Sequence, residues 1–188
     1  MRYFVLSLLV CAVIAACGNP LGLAAYSTNT VDSLVSLYAL SGTPVSLPSG
    51  FSIAARRVVR TDQGAPFDFA FDIDTAGRAL LFPTGPLKLG RQSGLQISTL
   101  AFDSIRSAPT SGYQLDSAVV VHDSSVVIAY SNLSACPASV GIAYPFYAKL
   151  LVLTIDTTST PHGRRIDFRI LTDINCGYRG LQPGVPRN

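Results

Sequence analysis

The sequence contains no tryptophan, one methionine and two histidines, and only 13% of its residues are charged. Scattered arginines give a formal net charge of +3, without the clustered basic face that marks nucleic-acid-binding proteins. The chain also lacks a Gly-x-Gly-x-x-Gly or phosphate-binding loop, which would indicate nucleotide binding. We therefore expect no nucleic-acid partner, no nucleotide and no cofactor.

Catalytic motifs are equally scarce. There is no Gly-x-Ser-x-Gly elbow to expose a nucleophilic serine, and no Cys-x-x-Cys pair for redox chemistry. His122 and His162 fall in predicted turns, where solvent-facing histidines are common. The sequence thus predicts a protein without catalytic activity.

The chain also has no apolar run of about 20 residues, the length that spans a bilayer. Its longest apolar stretch, Tyr3 to Ala16, follows Met1-Arg2 and ends in small residues, as secretory signal peptides do. An ordinary cleavage site is available around Ala12 to Ala16, so simple secretion remains an alternative.

Cys17 directly follows Ile14-Ala15-Ala16, and this quartet resembles the lipobox of bacterial lipoproteins. The resemblance implies that the Cys17 thiol receives a diacylglyceryl group, that residues 1–16 are removed, and that the new amine is acylated. Two or three acyl chains would hold the protein stably on a membrane, which is then its first partner. Gly18, and not aspartate, follows Cys17, which in this family implies the outer membrane of the cell envelope.

The remaining chain divides into a tether, residues 17–31, and one domain, residues 32–188. Cys11 leaves with the signal peptide and Cys17 carries lipid, so Cys136 and Cys176 are the thiols left in the domain. In an oxidising periplasm, these two cysteines most simply form a disulfide bond.

Downstream of the tether, apolar and polar residues alternate with period two between Gly, Pro, Asp and Ser, which indicates β-strands. Residues 67–74 are the clearest case: Phe67, Phe69, Phe71 and Ile73 would share one face, and Asp68, Asp72 and Asp74 the other. Hairpins are predicted for 67–82 with a turn at Gly77, for 113–130, and for 146–175. Further strands are predicted at 34–40, 51–60 and 96–102, with a helical alternative at 98–108 that Pro109 would stop. Short strands with turns between them predict an all-β fold, a single antiparallel β-sandwich or squat barrel.

The aspartates of that strand offer a candidate metal site at Asp72 and Asp74 and a candidate hydrolase face. A helical calcium loop would need oxygen ligands where this chain has Ala76 and Pro83. We therefore expect these side chains to form the polar outer face of a hairpin, with no bound metal.

The sequence leaves three functional hypotheses. The first is a non-catalytic interaction or structural module of the envelope with a protein partner. The second is a domain that binds a glycan or lipid through aromatic stacking, with candidate rings at Tyr130, Tyr144, Phe146 and Tyr147. The third is a hydrolase that uses the aspartate face.

Overall fold

A computed structural model describes residues 24–90, 92–131, 144–160 and 163–186. The predicted signal peptide, Cys17, Cys136 and His162 lie outside these residues. Within them the fold is all-β, as predicted, with no α-helix and two short 3-10 turns, Thr61–Gln63 and Phe102–Ser104. The strands are β1 (Thr30–Tyr38), β2 (Gly50–Ser52), β3 (Arg57–Val59), β4 (Phe69–Ile73), β5 (Ala79–Pro83), β6 (Gly94–Ser98), β7 (Val119–Val121), β8 (Val126–Tyr130), β9 (Tyr147–Asp156) and β10 (Arg165–Asp173).

The strands form two antiparallel sheets of five, which make a β-sandwich and not a closed barrel. The first sheet has the order β1-β10-β9-β8-β6, and the second has the order β3-β2-β4-β5-β7. Inward-facing side chains of both sheets form the main core. At its centre, the ring of Phe51 stacks on Phe69 at 5.4 Å between centroids and meets the edge of Phe168 at 6.2 Å.

A third layer covers the outer face of the first sheet. It consists of residues 99–118, which we call the cover segment, and the C-terminal residues 176–186. Phe102, Ile105 and Leu181 from this layer pack against Ile128 and Leu171 of the sheet. The cover segment also shields the β6 edge, because Leu95 and Gln114 exchange backbone hydrogen bonds.

Two of the three predicted hairpins are present. Strands β4 and β5 pair around Gly77, whose φ of 78° is the left-handed conformation expected there, and β9 pairs with β10. The predicted hairpin through 113–130 is wrong. Strand β7 pairs with β5 of the second sheet, whereas β8 pairs with β6 and β9 of the first. The turn at 122–125 therefore passes from one sheet to the other.

Other local predictions also need correction. The helical alternative at 98–108 is wrong, because this stretch contains the last residue of β6, the turn Phe102–Ser104 and a bridge from Ser107 to Gly180. The predicted strand at 51–60 is broken by a turn in which Arg56 has a φ of 52°. Phe67 does not share the face of Phe69 but packs outside the second sheet with Val59 and Ala70.

Among the described residues, no helix has the length and apolarity needed to cross a bilayer.

Candidate functional site: a cleft at one end of the sandwich

The three aspartates predicted to share a face are bound to separate parts of the chain. Asp68 is buried, and its Oδ2 accepts the amide of Ile53 at 2.7 Å. Asp72 accepts the amide of Ser41 at 3.0 Å and its hydroxyl at 2.9 Å. Asp74 accepts the side chain and amide of Arg78. These contacts hold backbone turns and do not arrange the three carboxylates around a common substrate.

The candidate metal ligands Asp72 and Asp74 each accept hydrogen bonds from other residues, Asp72 from Ser41 and Asp74 from Arg78. In the part of the chain that the structure describes, no group of three His, Cys, Asp or Glu side chains could hold a metal ion. Hydrogen bonds from the amide and guanidinium of Arg78 lower the pKa of Asp74 below its ordinary value. That carboxylate is thus committed to closing the β4–β5 turn.

The four rings proposed for ligand stacking are divided between two layers. Phe146 is buried in the main core, and Tyr144 packs against it. Tyr130 and Tyr147 are opposite each other on β8 and β9 and are half-buried toward the outer layer. Tyr113, not predicted to join them, meets the ring of Tyr130 edge-on at 4.7 Å. The four predicted rings therefore do not form one platform.

A cleft of about 470 Å³ lies where three turns meet at one end of the sandwich. Its apolar floor is formed by Ala79, Val121 and Ile155, and its other lining residues are Gly77, Arg78, His122, Asp123 and Thr157. The structure thus brings His122 to the Gly77 turn, although the sequence placed them in separate hairpins. The cleft lies where strands of the two sheets end. The turn at 122–125, which connects the two sheets, forms one of its walls.

Polar groups at the cleft are held in place by local hydrogen bonds. Asp123 accepts the amide of Ile155 at 3.0 Å, which ties the turn to the end of β9. The guanidinium Nε of Arg78 contacts Asp74 at 2.7 Å, and 62% of the Arg78 side chain remains exposed. The apolar floor is therefore surrounded by polar side chains, namely Arg78, His122, Asp123 and Thr157. Such an arrangement can bind an amphipathic surface.

The opposite end of the first sheet holds the N-terminal segment. The amides of Tyr26 and Ser27 donate to Asn175 Oδ1 at 2.9 and 2.8 Å, and Asn29 pairs with Gly184. Residues 26–29 were predicted to belong to the tether, and the structure joins them to the domain. We call this the base end, and the end with the cleft the cleft end.

A buried polar network supports the base end. Asp173 and Asn175 are fully buried, and Asp173 Oδ1 accepts the amide and the side chain of Asn175 at 2.9 and 2.7 Å. Burial raises the pKa of Asp173, and the hydrogen bonds from Asn175 oppose this rise. Arg56 reaches the same region and donates to the Ser27 hydroxyl at 2.9 Å. The network orients Asn175 to receive the N-terminal segment.

Lys149 is a buried cation that no sequence motif indicates. It is 2% exposed, and its Nζ donates to the carbonyls of Phe102 and Ile105 at 2.6 and 2.9 Å. Burial lowers its pKa, while nearby Asp103 opposes the change. The only sequence signal is a lysine inside the apolar run of β9. Its bonds hold the cover segment on the sheet, so its role is structural.

Cys176 is buried beside the main core. Because Cys136 lies outside the described residues, the disulfide remains a prediction.

No family model, no curated protein and no solved structure matches this chain.

Proposed function

We propose that this chain is a lipid-anchored bacterial envelope lipoprotein whose β-sandwich is a non-catalytic module that binds another envelope protein. The lipobox-like Ile14-Ala15-Ala16-Cys17 supports the anchor, and Gly18 after the cysteine favours the outer membrane. The cleft end is the binding surface.

The observation that carries this proposal is the separation of the two ends. Strand β9 runs from Tyr147, which pairs with Asp173 at the base end, to Asp156 beside the cleft. Ten strand residues at about 3.3 Å each extend roughly 30 Å. An anchor attached at the base would thus leave the cleft facing away from its own membrane, where a partner can reach it.

The cleft favours a protein over a glycan as its partner. Its lining has an apolar floor with charged groups around it and contains no Phe, Tyr or Trp side chain, whereas sugar sites commonly use stacking on such rings. An apolar centre with a polar rim is typical of a protein interface.

The processing and acylation of Cys17 test the proposed lipid anchor. Mass spectrometry of the mature chain from its native membrane should find an N-terminal, acylated Cys17. Replacing Cys17→Ser should prevent this processing and release the chain from the membrane fraction. Unchanged maturation and fractionation of that variant would refute the lipid anchor.

Site-specific photo-crosslinking tests the binding surface. A photoreactive residue at Thr157, in the cleft, should capture a protein in the native envelope, whereas the same residue at exposed Thr110 on the cover segment should not. Equal labelling from both positions, or no adduct from Thr157, would contradict the cleft as the interface. A glycan adduct from Thr157 would replace the protein partner with a glycan.

A further inference from the structure

The base end has the composition of a surface that contacts lipid headgroups. Of the seven tyrosines in the described residues, only Tyr38 lies toward the cleft end, where it pairs with Arg165. The other six lie at the base: Tyr26, Tyr113, Tyr130, Tyr144, Tyr147 and Tyr178. Tyrosine is enriched where proteins meet the membrane–water interface, because its ring is apolar and its hydroxyl is polar.

The exposure of these tyrosines fits such a contact. Tyr26 is 65% exposed beside the incoming chain, and neighbouring Val185 is 60% exposed. Tyr130 and Tyr147 are half-buried. Tyr178, in contrast, is buried. Tyr26, Tyr130 and Tyr147 therefore present part of an amphipathic ring at the surface.

Charge is distributed unequally between the two ends of the described structure. Arginines at the base are Arg56, Arg57 and Arg179, and the carboxylates there are the buried Asp68 and Asp173 and the exposed Asp116. The cleft end instead has five carboxylates, Asp72, Asp74, Asp123, Asp156 and Asp167, against Arg78, Arg164 and Arg165. Because Asp68 and Asp173 are buried, the base surface presents three arginines against one exposed carboxylate, which suits an anionic membrane better than the acidic cleft end does.

The length of chain between the anchor and the domain keeps the base near the membrane. Cys17 and Tyr26 are nine residues apart, so their separation is at most about 30 Å and averages roughly 17 Å for a flexible chain. We infer that the base end, with Tyr26 and Arg57 at its surface, rests on the headgroups of an anionic lipid membrane. This inference depends on the proposed lipid anchor.

The absence of tryptophan from the chain makes a single introduced tryptophan a specific reporter. The chain purified from its native membrane, with Tyr26→Trp or, as a control at the cleft end, Thr157→Trp, would be reconstituted into vesicles of phosphatidylcholine with phosphatidylglycerol. A headgroup nitroxide lipid should strongly quench the tryptophan at 26 and shift its emission to the blue, with little effect on the one at 157.

Charge and salt provide the second measurement. Arg57→Gln should reduce quenching at position 26, whereas Arg165→Gln at the cleft end should not. Vesicles of phosphatidylcholine alone, or 1 M salt, which shortens the Debye length to about 3 Å, should also reduce it.

Two outcomes would overturn the inference in distinguishable ways. If the chain stays with the vesicles but positions 26 and 157 are quenched equally, or neither is quenched, the anchor stands and the orientation is wrong. If the chain separates from the vesicles, the lipid anchor itself fails and the orientation fails with it.

Discussion

The Nζ of Lys149 lies 2.6 Å from the carbonyl oxygen of Phe102 and 4.5 Å from the centroid of that residue's ring. The Arg169 guanidinium lies 4.1 Å from the same ring and binds Asp103. The cover segment is therefore attached to the first sheet by a buried cation and a neighbouring ion pair.

Replacing Lys149→Met should destabilise the protein by about 1–3 kcal/mol, because two buried carbonyls lose a charged donor. Methionine keeps most of the packing volume, so the loss reports mainly on the hydrogen bonds. Urea unfolding of the mature chain would measure it. Lys88→Met, at an exposed lysine, should change stability little; an equal loss in both variants would contradict this role.

We expect ionisation of Tyr113 to lower the stability of the protein at alkaline pH. Burial raises its pKa well above 10.0, and its hydroxyl donates to the Pro109 carbonyl at 3.1 Å. A raised pKa in the folded state stabilises the protein below pH 10, and this contribution is lost as the pH rises further. The stability advantage of the native chain over Tyr113→Phe should therefore shrink above pH 10 in unfolding measurements. A difference that does not vary with pH would exclude this linkage.

Any side chain at position 94 should clash with two neighbouring tyrosines. A Cβ there would lie 2.4 Å from a ring carbon of Tyr130 and 2.8 Å from Tyr113 Cβ. Gly94→Ala should therefore cost about 1–3 kcal/mol through displacement of the tyrosines. At Gly180 the nearest atom to such a Cβ is 3.3 Å away, so Gly180→Ala should cost less in thermal unfolding. The reverse order would show that the tyrosines move aside easily.

Asn175 should stabilise the attachment of Tyr26 and Ser27 to the base end. Asn175→Ala removes the acceptor of the Tyr26 and Ser27 amides. These amides should then exchange with solvent faster, because local opening costs less free energy. Hydrogen exchange with mass spectrometry would detect the change near the N-terminus. Gln182→Ala, at an exposed side chain, is the matched control, and similar exchange in both variants would argue against the contact.

The predicted Cys136–Cys176 bond would close a loop of about 40 residues, which stabilises a fold by roughly 4 kcal/mol in the chain-entropy model. The oxidised mature chain should therefore unfold at higher denaturant concentration than the reduced chain. Peptide mapping without reductant would identify the bond directly. Free thiols at both positions in periplasmic material would refute it.

The strands were the most predictable part of this protein. Alternation at Phe69, Phe71 and Ile73 follows from the geometry of a strand with one buried face, and those residues do enter the main core. Phe67 breaks the pattern because Asp68 is buried as an acceptor for the Ile53 amide before regular pairing begins. The period-two alternation of apolar residues does not indicate this hydrogen bond.

The candidate site was less predictable. The sequence indicates the turn around His122 but not the pairing of the strands on either side, because a turn sequence does not specify whether the next strand joins the same sheet. Strand β7 belongs to the second sheet and β8 to the first. Because the turn between them connects the two sheets, His122 lies next to the Gly77 turn. Lys149 was missed because burial of a lysine depends on the carbonyls of a distant segment.

The sequence by itself determined the all-β class, because period-two alternation and turn residues act over a few neighbouring positions. It also contains the lipobox-like quartet, a local pattern on which the proposed lipid anchor depends. Only the tertiary structure decided the sandwich over a barrel, the cleft, the buried cation and the attachment of Tyr26 at the opposite end. Those features arise from contacts between residues such as Tyr26 and Asn175, 149 positions apart, which local patterns cannot encode.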